Sequence, residues 1–123
     1  MLKIEGQKIY LTRADSAKIK VTPKVKDDEG VYHPYELQEG DRIFFRLKRK
    51  AEDDYEVICE KECSINVSEN QAILSLVPID TESCEFKEHR YECELVTYDD
   101  FHSTFIENQP FTIGKELERH GGQ

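Results

Sequence analysis

Between positions 17 and 26, polar and apolar side chains alternate without a break. Ala17, Ile19, Val21, Pro23 and Val25 take one parity, and Lys18, Lys20, Thr22, Lys24 and Lys26 take the other. A helix would scatter these lysines around its circumference, whereas a strand gathers them on one wet face. Pro23 has no N–H to give to a ladder, which places a sheet edge or a bulge there. The same period of two recurs along the chain and limits it to β architectures.

Residues 42–50 set Ile43, Phe45 and Leu47 inward against Arg46 and Lys48, and Phe44 breaks the pattern as an outward aromatic. With 51–54 as the tip and 55–63 returning, this segment reads as a long hairpin. The inward parity of the return is left open, because Val57 and Ile58 compete for it. Residues 71–77 place Leu74 and Leu76 inward, and Pro78 ends that strand. Residues 89–97 place Tyr91, Cys93 and Leu95 inward and Arg90, Glu92 and Glu94 outward. Strands are also expected at 2–5 and 8–11 around Gly6, and at 103–106 and 110–117, with Phe111, Ile113 and Leu117 sharing a parity. Turns fall at Asp27–Gly30, Glu39–Asp41 and Asp99–Asp100, and residues 33–35 read as an irregular crossing. Ile79 to Cys84, with an Asp or Thr cap followed by acidic residues, predicts one short helical turn. Seven to nine strands at roughly ten-residue spacing predict an all-β, immunoglobulin-like antiparallel two-sheet sandwich. One domain spans 1–123, with 118–123 as a frayed tail.

The chain of 123 residues is long enough for a core that needs neither metal nor disulfide. Only 37% of residues are hydrophobic, but six Phe and six Tyr bring much burial per core position. Lys and Arg number 17 and Asp and Glu 26, a net charge of −9, a field that repels nucleic acid and anionic lipid. The one basic stretch, 46–50, reads as a solvated strand edge that discourages aggregation. The opening Met1–Gly6 lacks the apolar run of a signal peptide, and no run reaches membrane-spanning length, so the chain is expected not to be secreted by a signal peptide. Its thiols are then expected to be reduced.

Four cysteines first suggest zinc, but Cys59 and Cys63 on one strand stand about 13 Å apart with no tight partner pair. Buried, inert thiols are the simpler reading, above all for Cys93 on an inward parity. Cys84 near His89 is the one pairing suggestive of a nucleophile, and no Gly-rich oxyanion turn accompanies it. The acidic tips lack the alternating oxygen ligands of a calcium loop. The expectation is a non-enzymatic protein with no catalytic, cofactor-binding or metal-binding residues. Large side chains on outward parity make Tyr10, Phe44 and Tyr98 the candidate interface, unless loops simply cover them.

Several segments together look familiar. Thr12-Arg13-Ala14-Asp15-Ser16-Ala17 resembles the "T-R-G-D-T" opening of small structural proteins from phages and prophages of Gram-positive bacteria, with Ala14 where Gly is usual. Residues 35–43, Tyr-Glu-Leu-Gln-Glu-Gly-Asp-Arg-Ile, resemble their "L-x-E-G-D-x-V-x-F" turn and strand. Ile79-Asp80-Thr81 followed by Tyr91-Glu92-Cys93-Glu94-Leu95 is similar to their helical turn and "Y-x-Y-D-V-x-L" strand, although Glu88-His89 stands where a Gly often precedes it. Phe111-Thr112-Ile113 and Leu117 look like the closing strand. The nearest named likeness is the N-terminal domain of phage baseplate upper proteins, a β-sandwich. The resemblance implies a tail or baseplate assembly module that binds other virion proteins or itself, made in the bacterial cytoplasm and ending in the virion. The rival reading is a sandwich that binds cell-surface carbohydrate, for which Tyr32, Tyr35 and Tyr98 are the aromatic platforms.

Overall fold

The computed structural model describes residues 1–49 and 56–115. Among them are eleven strands: β1 (Leu2–Glu5), β2 (Lys8–Thr12), β3 (Ala17–Val21), β4 (Lys24–Lys26), β5 (Tyr32–Pro34), β6 (Arg42–Lys48), β7 (Val57–Glu62), β8 (Ser64–Asn66), β9 (Gln71–Leu76), β10 (Glu88–Val96) and β11 (His102–Gly114). The one helix, α1 (Pro78–Thr81), is a single turn. The protein is all-β, as expected. The strand count exceeds seven to nine because β4, β5 and β8 are three-residue pairings too short to show a period.

Six strands form a large sheet in the order β1-β2-β11-β10-β6-β7. Three form a small sheet, β3-β9-β8, and β4 pairs with β5 as a separate hairpin. Uniformly antiparallel pairing fails at one place. β2 runs parallel to β11, with Ile9 beside Phe111 and Leu11 beside Ile113, so the large sheet is mixed. Inward side chains of both sheets meet in one core: Leu11, Ile43, Phe45, Leu47, Tyr91, Leu95, Phe111 and Ile113 from the large sheet, and Ile19, Val21, Ala72, Leu74 and Leu76 from the small one. At its centre Phe45, Tyr91 and Phe111 lie with ring centroids 5.6–5.9 Å apart in tilted and edge-on contacts. The Tyr91 hydroxyl donates to the Gln7 carbonyl and so satisfies the one polar atom this cluster would otherwise strand.

The 17–26 alternation is reproduced residue by residue, but Pro23 divides it. β3 joins the small sheet and β4 leaves for its own hairpin. β3 is an edge strand, and Lys18 and Lys20 stand exposed along it, which discourages further pairing. Residues 32–34 form β5 rather than an irregular crossing. The rivalry between Val57 and Ile58 is resolved by a bulge: Leu47 faces Cys59 and Lys48 faces Val57, leaving Ile58 as the extra residue. The hairpin tip at 51–54 and the frayed tail lie outside the described residues.

The two final strands expected at 103–106 and 110–117 are one continuous strand, β11, to Gly114, with Leu117 outside the described residues. It bends near Asn108, whose φ is 46°, where the register against β10 shifts between Tyr91 and Cys93. That kink takes the place of the expected turn. The helical turn is present, but its N-cap position is Val77, whose N–H donates to Asp80 Oδ2 at 2.8 Å. Thr81, expected as a possible cap, is instead buried, and its hydroxyl accepts the Ala14 N–H at 2.8 Å.

Ala14 occupies the left-handed region with φ 64°, in a turn closed by the Asp15 N–H donating to the Thr12 carbonyl at 3.1 Å. An alanine Cβ crowds the following carbonyl there, and glycine relieves it. Ala14→Gly should therefore raise stability by about 0.5–1 kcal/mol after the larger chain entropy of unfolded glycine is counted. Urea denaturation checks this, and a destabilised variant would mean that the turn is not left-handed.

Candidate interaction surface

The outer face of the large sheet is polar by cross-strand pairing. Arg46 on β6 meets Glu60 of β7 at 2.6 Å, and Glu92 and Glu94 of β10 at 3.1 and 2.9 Å. Lys48 holds Glu92 at 2.7 Å, and Arg42 takes both oxygens of Glu62 at 2.9 and 3.0 Å. His102 Nδ1 lies 2.9 Å from Glu94. Burial raises the Glu94 pKa and its His102 and Arg46 partners lower it, and the partners prevail. These pairs correct one expectation: residues 46–48 are not a solvated edge, because β6 lies inside the sheet between β10 and β7. Opposite charges on neighbouring strands explain why cations gather there.

Phe44 sits on this face, as its outward parity requires, but two guanidinium groups cover it. Arg42 Cζ lies 4.8 Å and Arg46 Cζ 5.8 Å from its ring centroid. Neither a free contact nor a loop-covered residue, it is a stem for its own sheet's arginines. Tyr10 on β2 is half-buried on the same face, and its ring lies where a Cβ at Gly114 would stand, 2.0 Å from its hydroxyl. β11 and β10 separate β2 from β6. Phe44 is in register with Thr104 of β11 whereas Tyr10 is in register with Thr112, so Tyr10 and Phe44 stand far apart both across and along the sheet. Tyr98 lies elsewhere, in the β10–β11 turn, with 65% of its surface exposed. The three candidates therefore do not form one patch.

Tyr98 belongs to a loop cluster that its sequence position did not reveal. Asp41 is buried and accepts three hydrogen bonds: from the Tyr35 hydroxyl at 2.8 Å, the Gln38 N–H at 2.7 Å and the Tyr98 N–H at 2.8 Å. Burial and the Asp41 carboxylate push the Tyr35 phenol well above its usual range. The Cβ of Tyr98 packs over Gly40, whose φ of 93° admits only glycine without strain. The Glu39-Gly40-Asp41 signature is thus a clamp joining two loops. Phe101 stands exposed on the same turn.

No protein-family profile matches the chain, and neither does any curated protein.

Cys84 and His89, the one pairing suggestive of a nucleophile, are both buried, and His89 Nε2 lies 3.0 Å from the Glu85 carbonyl. Burial pushes the Cys84 thiol up, Cys59 up to about 11 and Cys63 up to about 12, so all three are protonated at neutral pH. Among the described residues no group of three or more His, Cys, Asp or Glu is placed to hold a metal ion. No helix among them is long and apolar enough to cross a membrane.

The surface that sequence reasoning missed is β1. All four of its residues are exposed, and Leu2 and Ile4, at 36% and 45%, share the core-side parity of Leu11 and Ile9 yet stay exposed. Ile4 stands at the mouth of an apolar cleft of about 220 Å³ between the sheets, lined by Ile9, Ile19, Phe105 and Ile106. The alternation in Leu2-Lys3-Ile4-Glu5 was a signal for a strand, but not for one left exposed.

Proposed function

We propose that this chain is a non-enzymatic structural protein of a phage or prophage particle, an assembly module of tail or baseplate type that acts through protein–protein contacts. It is built as an immunoglobulin-like two-sheet sandwich whose sheets share one core. The observation that carries the reading is the edge of the large sheet at β1, where apolar side chains and a strand edge with no partner among the described residues face outward together. A lone domain usually blunts such an edge, and a subunit of a larger assembly uses it. The left-handed Ala14 lies where the resembled opening places glycine, the residue such a turn favours. The partners are other virion proteins or further copies of the chain. The charge of −9 disfavours nucleic acid. Particles released by inducing a host that carries the gene should contain the chain in fixed ratio to tail proteins by mass spectrometry. Its absence from purified particles sinks the reading.

A second reading, a carbohydrate-binding module, is favoured by exposed Tyr98 and Phe101 beside Asp99 and Asp100. Tyr35 is spent on Asp41, and Tyr32 lies apart with its hydroxyl on Glu107. A glycan array with the full chain separates the two readings.

A further inference from the structure

β1 offers a backbone as well as side chains. The Thr12 N–H donates to the Met1 carbonyl at 2.9 Å, so Met1 and Thr12 are a hydrogen-bonded pair of the β1–β2 ladder. Such pairs alternate along an antiparallel ladder, which makes Lys3–Tyr10 and Glu5–Lys8 the next bonded pairs. The N–H and C=O groups of Leu2 and Ile4 then point away from β2, to the open side. Lys3 and Glu5 share the outer face of the sheet, and Leu2 and Ile4 share the face toward the cleft.

We propose that a second copy of this chain adds to the large sheet along β1, antiparallel, about a two-fold axis at Ile4. This deepens the assembly reading and rests on it, naming one of its two partners. The backbone phase admits this axis, because Ile4 presents both its N–H and its C=O outward and can exchange them with the partner's Ile4. The charge pattern selects it: Lys3 faces the partner's Glu5, and Glu5 faces the partner's Lys3. Both fall at non-bonded pairs, where side chains approach closest. An axis at Lys3 also satisfies the backbone, with Leu2 bonded to the partner's Ile4, but it opposes two lysines at a closely spaced non-bonded pair and is disfavoured by charge. On the other face the isoleucines of both copies meet beside the two cleft mouths. Bulk charge of −9 per copy opposes association, but the edge itself pairs Glu5 with Lys3 and Lys8. Four residues a side make a small interface, so the dimer is weak and depends on concentration.

The test is sedimentation equilibrium of the full chain from low micromolar to near-millimolar concentration. The mass should rise toward that of a dimer. Lys3→Glu or Glu5→Lys alone places like charges opposite one another twice, and each should weaken the dimer roughly tenfold or more. The double variant K3E/E5K restores opposite charges and should restore dimerisation. Circular dichroism shows whether each variant folds. For the unaltered chain, hydrogen exchange of the Ile4 amide should slow as concentration rises. A monomer at every concentration, a dimer indifferent to single reversals, or a folded double variant that stays monomeric would overturn the proposal. A monomeric chain recovered in particles sinks β1 pairing and spares the assembly reading, and a β1 dimer absent from particles does the opposite.

Discussion

Phe45→Ala is expected to lower the free energy of unfolding by about 3–5 kcal/mol. Phe45 is fully buried at the middle of β6, and its ring touches both Tyr91 of β10 and Phe111 of β11. The vacancy cannot collapse easily, because β6 is held in register on both sides, by its ladders to β10 and to β7. Lost transfer energy and lost dispersion contacts therefore add. A domain of this size has on the order of 5–15 kcal/mol in total, so the variant should be near the edge of folding at body temperature. Phe45→Leu keeps most of the volume and should cost roughly 1.5 kcal/mol or less. Urea denaturation followed by far-ultraviolet dichroism measures both. A loss below about 1 kcal/mol for the alanine variant would mean that the two sheets do not share this core.

Stability should also fall steeply as pH rises from about 8 toward 11. Burial pushes the Cys63 thiol up to about 12, with the Glu62 charge adding to it, and Cys93 and the Tyr91 phenol are raised for the same main reason. In the unfolded chain a thiol ionises near its usual value of about 8.5. Above that pH the unfolded state sheds protons that the folded state keeps, and the equilibrium moves toward unfolding. The stabilisation is complete below the unfolded value and is lost as pH climbs toward the folded one. Cys63 alone accounts for a loss on the order of 2–3 kcal/mol by about pH 11. Onset near pH 9 distinguishes thiols from lysines, which hold their charge to higher pH. A Cys63→Ala/Cys93→Ala variant should start less stable and show a flatter slope. An equally steep slope in that variant would place the cause elsewhere.

Acid should act through the opposite sign at the outer face. The Glu94 pKa is lowered on balance, so its contribution is present at neutral pH and is lost as pH falls through the folded value. Arg46 then loses one of the three carboxylates that hold it.

The candidate interaction surfaces were only partly legible from residue order. Phe44 was rightly placed outward, but its parity did not reveal that Arg42 and Arg46 lie over the ring. Tyr98 was visible as a large residue at a turn, whereas the Asp41 clamp beneath it joins segments 57 residues apart. The alternation of Leu2 and Ile4 with Lys3 and Glu5 is that of an ordinary half-buried strand and does not mark an exposed edge. Only the place of β1 at the edge of the large sheet leaves them bare.

Residue order alone determined where the longer strands lie and which of their side chains turn inward. Ala17, Ile19 and Val21, then Ile43, Phe45 and Leu47, then Tyr91, Cys93 and Leu95 are all buried on the parity their alternation prescribes. That property is local: successive side chains of a strand point to opposite faces whatever lies beside it. Which strand lies beside which is not local. The parallel pairing of β2 with β11, the interior place of β6, the bulge at Ile58 and the bare edge of β1 depend on ladders between distant segments. Alternation reads the same in either direction and in any neighbour's company, so only the tertiary structure decided them.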